Sequence, residues 1–131
     1  RHIKAAKTYF SDSGIIQSLN TNISEGRRLE NFVIAELEKR RKLNFIPADQ
    51  FFYYKSTAGR EIDLVFETED RVYAVEIKAT RKPGLKDMTS LKQFTPNVKK
   101  PVARILFYLG EEYQSRDDVN LIPVGAIFRG K

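Results

Sequence analysis

Alternating apolar and polar residues mark three consecutive strands in the first half of the chain. FFYYK (51–55), EIDLVFE (61–67) and RVYAVEIK (71–78) are rich in aromatic and β-branched residues, which favour strands. Short polar turns separate these segments, so we expect them to pair in order as an antiparallel meander. ARILFYL (103–109) and LIPVGAIF (121–128) predict two further strands.

A helix precedes the meander. In SEGRRLENFVIAELEKRRK (24–42), Leu29, Phe32 and Leu37 recur at helical spacing, and Ser24 is a suitable N-cap. The basic residues at its end suit the negative pole of the helix dipole.

Two shorter helices complete the predicted order of elements. SDSGIIQSL (11–19) predicts a capped helix, and GLKDMTSLKQF (84–94) predicts another that stops before Pro96. The order of helix, three strands, helix and two strands indicates an α/β domain with a central mixed β-sheet flanked by helices.

The two middle strands can be set in register from the sequence. A two-residue turn at Glu69-Asp70 brings Thr68 opposite Arg71, and a four-residue loop gives the same register. Because side chains alternate between faces, this register predicts one unbroken apolar face. The expected pairs are Phe66–Tyr73, Leu64–Val75 and Ile62–Ile77 on that face, and Val65–Ala74, Asp63–Glu76 and Glu61–Lys78 on the other.

The register places two carboxylates, Asp63 and Glu76, directly opposite each other, with Cβ atoms about 5 Å apart. Like charges at this distance repel unless a divalent cation, a shared proton or flanking lysines lie between them. Lys78 points to the same place as Glu76. The other interpretation is a wet hairpin face on which Glu61 and Lys78 form a surface salt bridge.

Composition narrows the chemistry that this face could perform. The 131 residues contain no cysteine and one histidine, His2, which excludes disulfides, thiolate zinc sites and histidine-dependent triads. A bound metal would therefore be a hard, oxygen-preferring ion such as Mg²⁺. The lack of cysteine fits a reducing cytoplasm, and no apolar run is long enough to span a membrane.

The net charge of +6 is unevenly distributed. Clustered cations favour a polyanion such as nucleic acid, and a solvated surface with a mild basic bias is the alternative. The basic groups gather in GRR (26–28), EKRRK (38–42), KATRKPGLK (78–86) and NVKK (97–100).

The hairpin charges resemble the PD-(D/E)XK nuclease superfamily, whose core is an Asp followed by Glu-x-Lys on the adjacent strand. EIDLV (61–65) and EIK (76–78) supply these residues. A longer stretch, from about residue 7 to residue 80, is similar to the domain of unknown function that lies C-terminal to the ATPase module of many prokaryotic AAA+ proteins. The segments that carry this resemblance are KTYFSDSGIIQSL, EGRRLENFVIAEL, YYKSTAGREIDLVFE and AVEIKAT.

These resemblances imply a restriction-endonuclease-like core with elements in the order αβββαβ. Residues 24–131 would form this nuclease-like domain, and residues 1–23 would be a lead-in from an upstream ATPase and winged-helix region. Asp63 and Glu76 would bind Mg²⁺ or Mn²⁺ together with the backbone carbonyl of Ile77. Lys78 would position or deprotonate the attacking water and stabilise charge on the phosphate.

Three further site residues follow from the resemblance. Glu30 on the first long helix would be an additional ligand, with Glu36 as a competitor on the same side of the helix. Gln93 and Lys55 would contact nucleic acid. The family of domains of unknown function more often has Trp-Arg where this chain has Tyr54-Lys55, which replaces a bidentate guanidinium with a point charge.

The implied function is Mg²⁺-dependent hydrolysis of DNA by a metal-dependent endonuclease domain of a cytoplasmic AAA+ ATPase. The alternative is a catalytically silent DNA-binding or protein-docking domain of the same ATPase. DNA and the upstream ATPase module are the expected partners. An oligomer formed through the ATPase, or a dimer, is compatible with either function.

Overall fold

The computed structural model of the chain describes residues 24–129, with side chains up to Ile127. The helix predicted at 11–19, the lead-in at 1–23 and His2 lie outside the described residues. Within them, one six-stranded mixed sheet is flanked by helices. The α/β class with a central mixed sheet is therefore confirmed.

Helix α1 spans Glu25–Lys42 and confirms the prediction for this segment. The Ser24 side chain caps it by accepting a hydrogen bond of 3.2 Å from the backbone N–H of Arg27. Its apolar stripe buries Val33 and Ile34 against the sheet, and four basic residues occupy its last turn.

The sheet has the strand order β1-β2-β3-β4-β6-β5. The first three strands form the predicted antiparallel meander, β3, β4 and β6 run parallel, and β5 is an antiparallel edge strand. The strands are β1 Phe52–Lys55, β2 Glu61–Glu67, β3 Val72–Ile77, β4 Val102–Tyr108, β5 Gln114–Arg116 and β6 Val119–Pro123.

The segment between β3 and β4 is helical, as predicted for residues 84–94. A 3₁₀ turn at Leu85–Met88 continues into helix α2 at Thr89–Gln93. Arg104 on β4 donates hydrogen bonds to the carbonyls of Leu91 and Phe94, at 2.7 and 2.8 Å. Because the last carbonyls of a helix have no partner within it, this arginine fixes the end of α2 against the sheet.

The prediction of a strand over residues 121–128 is wrong in its second half. Strand β6 ends at Pro123, and a short helix, α3, spans Gly125–Arg129. The N–H of Val124 bonds to Tyr108, and the N–H of Ile127 bonds back to Val124. Val124 and Ile127 are both buried on the α1 side, and this spacing of three is typical of a helix, not of an alternating strand.

Strand β5 was not predicted because its three residues are polar and show no apolar alternation. It is joined to β6 by the two-residue turn Asp117-Asp118, where both residues have positive φ, 49° and 70°. This is the backbone conformation of a type I′ hairpin, and aspartate tolerates it better than most residues.

Two apolar clusters lie on opposite faces of the sheet. One packs against α2 and the 3₁₀ turn, and the other packs against α1 and α3. The first includes Ile62, Val65, Ala74, Leu91 and Leu106, and the second includes Ile34, Leu64, Val75, Ile77 and Ile127.

Candidate functional site

A β-bulge interrupts the central hairpin at the predicted site. Phe52 pairs with Val65 and Tyr54 pairs with Ile62, so two residue steps along β1 are matched by three along β2. The extra residue falls at Asp63-Leu64. Bulges free a residue from regular pairing and redirect its side chain, and they are common next to active sites.

Because of the bulge, the predicted register is confirmed in one part and wrong in another. The pairs Phe66–Tyr73, Leu64–Val75 and Val65–Ala74 are confirmed, and the backbone of Thr68 bonds to Arg71 across the two-residue turn. The unbroken apolar face is wrong. Ile62 packs on the α2 side of the sheet and Ile77 on the α1 side, because the extra residue reverses the alternation of β2.

Asp63 occupies the gap that opens at the bulge. Its side chain is half-buried, and Oδ2 accepts a hydrogen bond of 2.9 Å from the backbone N–H of Ile77. The carboxylate thus takes the place of a backbone acceptor at the end of β3. The Asp63 carboxyl is also hydrogen-bonded to that of Glu76, so the structure brings the two predicted carboxyl groups together.

Glu76 is the one buried charged side chain among the residues whose burial is described, with 5% of its surface exposed. Burial raises its pKa from 4.5 to about 9, and the charge and hydrogen bond of Asp63 contribute in the same direction. The ammonium of Lys78 lowers the pKa and the carboxylate of Glu30 raises it. At neutral pH Glu76 therefore holds its proton in the folded chain.

Lys78 follows directly after β3. Its backbone N–H bonds to the carbonyl of Phe107 at 2.9 Å and extends the parallel pairing with β4 by one residue. Its side chain is half-buried. The predicted ion pair between Lys78 and Glu61 is replaced by one between Glu61 and Lys55, at 3.8 Å, because Lys55 lies opposite Glu61 in the β1–β2 register.

The structure separates the two glutamates of α1 that the sequence left as competitors. Glu30 pairs with Arg27 at 3.9 Å on its own helix, has only 14% of its side chain exposed, and its charge acts on Glu76. Glu36 forms ion pairs with Lys39 and Arg40, at 3.4 and 3.8 Å, on its own helix. Glu30 is therefore the residue of α1 that lies beside the carboxyl pair.

Tyr53 is a neighbour of the site that the sequence interpretation missed. It lies between the two pairs that bracket the bulge, opposite Asp63. Burial raises the pKa of Tyr53 to about 12, and a hydrogen bond to Glu61 and the charges of Glu61, Asp63 and Glu30 add to this effect. If FFYYK (51–55) had been paired with EIDLV (61–65) around a bulge, the sequence would have predicted Tyr53 opposite Asp63.

The remaining predicted residues occupy the periphery. Lys55 is exposed at the end of β1 and Gln93 is exposed at the end of α2, and their contacts with nucleic acid stay predictions. Ile77 contributes its N–H to Asp63, and its carbonyl stays a predicted ligand.

The side chains at the bulge carry the type of donor atom that a hard divalent cation prefers. It contains carboxyl oxygens, one of them buried beside another, and such oxygens suit Mg²⁺ or Mn²⁺. Between residues 24 and 129, however, no group of three or more acidic or histidine side chains is placed to hold a metal ion. The pair would need the Ile77 carbonyl, Glu30 after a side-chain movement, water or substrate to complete a shell.

The fold and this site define a mixed α/β domain with a carboxyl pair and a lysine at a bulged hairpin. The profile of a family described as a domain of unknown function (DUF4143) matches residues 25–127, and the chain belongs to that family. No curated protein and no solved structure matches the chain. No helix in the described part of the chain has the length and apolar character needed to cross a bilayer.

Proposed function

We propose that this chain is the C-terminal nuclease-like domain of a prokaryotic AAA+ ATPase and hydrolyses phosphodiester bonds of DNA with Mg²⁺ or Mn²⁺. The observation that carries the proposal is the hydrogen-bonded pair of Asp63 and Glu76 with Lys78 beside it. A buried carboxyl beside a second carboxyl costs folding free energy, and a hairpin that only faces solvent would not require it.

The order of elements supports the same proposal. Helix α1 leads into an antiparallel meander, and a helical connection then returns the chain to β4, parallel to β3. This succession is compatible with the αβββαβ order that the resemblance to PD-(D/E)XK nucleases implies. We therefore extend the proposal to a restriction-endonuclease-like core in which β5, β6 and α3 are additions.

Asp63, Glu76 and the carbonyl of Ile77 would hold the cation, with Glu30 as a further ligand. When bound, such an ion lowers the pKa of a water and polarises the phosphoryl oxygens. Glu76 would bind the ion as a carboxylate and would release its proton to solvent, since carboxyl ligands bind metals in the ionised form. Lys78 donates a hydrogen bond from Nζ to a phosphate oxygen and stabilises the charge that develops there.

The direct test is cleavage of plasmid, branched and single-stranded DNA by the purified chain, with Mg²⁺ or Mn²⁺ present. We expect Asp63→Asn and Lys78→Ala to lower the rate by at least about 100-fold, as the removal of a charge-stabilising group does in other enzymes. Asp70→Asn, at the exposed turn of the same hairpin, and Lys99→Ala are matched controls. Cleavage that survives both site variants would refute the assigned site.

Metal binding can be measured without cleavage. In a buffer of about pH 8 the metal-free folded chain must hold a proton on Glu76 that the unfolded chain releases, which lowers its stability, and a bound cation offsets this cost. Millimolar Mg²⁺ should therefore raise the melting temperature of the wild-type chain and leave that of Glu76→Gln nearly unchanged. An equal rise in both proteins would mean that the ion binds elsewhere.

A second candidate function is a catalytically silent domain that binds DNA or docks a protein for the same ATPase. It is favoured by the proton that Glu76 retains at neutral pH and by the lack of a third ligand side chain in position among the described residues. This function would be supported if the chain bound plasmid, branched and single-stranded DNA but cleaved none of them with Mg²⁺ or Mn²⁺.

A further inference from the structure

Two loops lie side by side at the end of the sheet where the candidate site is located. Residues 78–86 follow β3, and residues 109–113 follow β4. The N–H of Leu109 bonds to the carbonyl of Thr80 at 2.8 Å, and Arg81 pairs with Glu111 at 3.8 Å. We call these two segments together the rim.

The first segment of the rim is anchored at two points. Arg116 on β5 donates a hydrogen bond of 3.2 Å to the carbonyl of Pro83, and the backbone N–H of Lys82 bonds to the Thr80 hydroxyl, also at 3.2 Å. Directly after this segment, the Asp87 carboxylate accepts a hydrogen bond of 2.8 Å from the N–H of Gly84. The basic residues here therefore stand on an ordered loop.

The second segment of the rim is held by Tyr108. Its hydroxyl donates to the carbonyl of Glu112 and accepts from Gln114 at 3.1 Å. A Cβ at position 110 would lie 2.2 Å from the Tyr108 ring, so only glycine allows this close approach. Tyr113, between Glu112 and Gln114, thus projects from a fixed support.

The rim combines exposed apolar groups with cations. Tyr113 and Leu85 expose 65% and 69% of their surfaces. Lys82 and Lys86 are exposed on the first segment, which begins at Lys78 beside Glu76. A single exposed apolar residue needs no explanation. The second segment also carries the exposed Glu111 and Glu112, of which Glu111 pairs with Arg81. An exposed aromatic ring on one loop and exposed lysines on the loop bonded to it are features that bind unpaired nucleotides, because rings stack on bases and cations follow the backbone.

The opposite end of the sheet differs in charge. Its two hairpin turns, at 67–71 and 117–118, are mainly acidic. Two of the basic groups near them, Lys100 and Lys92, are engaged in ion pairs with Glu67 and Asp117. A polyanion approaching the molecule is therefore attracted to the rim more than to the other end of the sheet.

We propose that the rim binds a nucleic-acid strand with unpaired bases. One base stacks on Tyr113, neighbouring phosphates contact Lys82 and Lys86, and the strand continues past Lys78 to the carboxyl pair. This inference rests on the proposed function in one respect: both take nucleic acid as the ligand that binds at this end of the domain. It adds a preference for single-stranded or locally unpaired substrate.

The test measures binding in EDTA, so that no metal-dependent cleavage takes place. Fluorescence anisotropy compares labelled oligothymidylate with a blunt duplex of equal length across a salt series. We expect the single strand to bind more tightly, and Tyr113→Ala to weaken that binding about 5- to 150-fold. Tyr113→Phe should retain it. Phe45→Ala removes an aromatic ring that is 74% exposed, in the loop that enters β1 at the opposite end of the sheet, and should have no effect.

The salt series separates stacking from phosphate contact. Each phosphate contact on a single strand contributes about 0.7 to the slope of log affinity against log salt concentration. Lys82→Ala should lower the slope by about this amount. Tyr113→Ala should leave it unchanged, and so should Lys99→Ala at the opposite end. Duplex binding as tight as single-strand binding, or wild-type affinity in Tyr113→Ala, would overturn the inference.

The outcome is separable from that of the nuclease proposal. Single-strand binding that needs Tyr113, in a chain that cuts no DNA, would support the rim and refute catalysis. Cleavage that needs Asp63, with single-strand affinity unchanged in Tyr113→Ala, would support catalysis and refute the rim.

Discussion

The two ends of the β2–β3 hairpin have opposite effects on the stability of the fold. At the turn end, regular pairing stacks Phe66 on Tyr73, with ring centroids 4.7 Å apart, and Phe51 lies 5.0 Å from Phe66. At the bulge end, pairing is interrupted, and Asp63 and Glu76 approach each other. The turn end stabilises the fold by apolar contact, and the bulge end costs stability in the metal-free chain.

This difference shows how a sheet can position a destabilising group. The buried carboxyl of Glu76 is one residue from Val75 and one from Ile77, which are both anchored in the α1-side cluster. Regular packing on either side therefore fixes a residue that would otherwise move into water. Active sites commonly rely on surrounding structure in this way.

The largest expected effect is at the turn end. Phe66→Ala removes a nearly buried ring and two aromatic contacts, and should lower the free energy of unfolding by about 3–5 kcal/mol. Asp63→Asn at the bulge end should change it by less than about 1 kcal/mol, because the amide oxygen still accepts from Ile77. Urea unfolding in EDTA measures both. A cost for Asp63→Asn as large as that for Phe66→Ala would contradict the comparison.

The next effect is a dependence of stability on pH at the bulge end. The pKa of Glu76 is raised from 4.5 to about 9 in the folded state. The folded chain therefore holds a proton that the unfolded chain releases, so this contribution is full below about pH 4.5 and is lost as the pH rises towards 9. Metal-free wild-type protein should lose a few kcal/mol of stability between about pH 6 and about pH 8.5.

Glu76→Gln removes this titration. Its urea midpoint should change much less than that of the wild type over the same pH range, and it should be the more stable protein at the alkaline end. Glu69→Gln at the exposed turn is the control and should behave as the wild type. Equal slopes for wild type and Glu76→Gln would show that the carboxyl is ionised when folded.

A smaller effect is expected at Tyr53, opposite the bulge. Tyr53→Phe removes the hydroxyl that bonds to Glu61 and should cost about 0.5–1.5 kcal/mol. Titration of tyrosine absorbance gives an independent measurement, since the pKa of Tyr53 is raised to about 12. The step near pH 12 should be absent from Tyr53→Phe and present in Tyr113→Phe.

The smallest effect is expected for the exposed pair at the margin of the site. Lys55 and Glu61 are 3.8 Å apart, and both side chains are more than half exposed. Lys55→Met should change the free energy of unfolding by less than about 0.5 kcal/mol, because surface ion pairs contribute little. A clear loss of DNA affinity with unchanged stability would assign Lys55 to nucleic-acid contact.

Sequence patterns predicted the elements that regular periodicity defines. The bounds of α1 and β2, the meander and the register near the turn all followed from alternation and capping. Asp63 and Glu76 were predicted as neighbours by the same register. The bulge was not predicted. One extra residue in β2 does not alter the local sequence pattern, and its effect appears only when β1 is paired with β2.

Two other differences have similar causes. The alternation of 121–128 stops at Pro123, where contacts of Val124 and Ile127 with the α1 side override the strand pattern. Strand β5 is too short and polar to be recognised alone, and it forms because β6 offers a partner. In both cases distant residues decide the local structure.

The position of β6 between β4 and β5 has a consequence for the order of folding. Strand β5 precedes β6 in the chain, yet it can join the sheet only after β6 has docked on β4. The hydrogen bond from Arg116 on β5 to the carbonyl of Pro83 in the rim therefore forms late. In pulsed hydrogen exchange, we expect the amides of β2 and β3 to gain protection before those of β5.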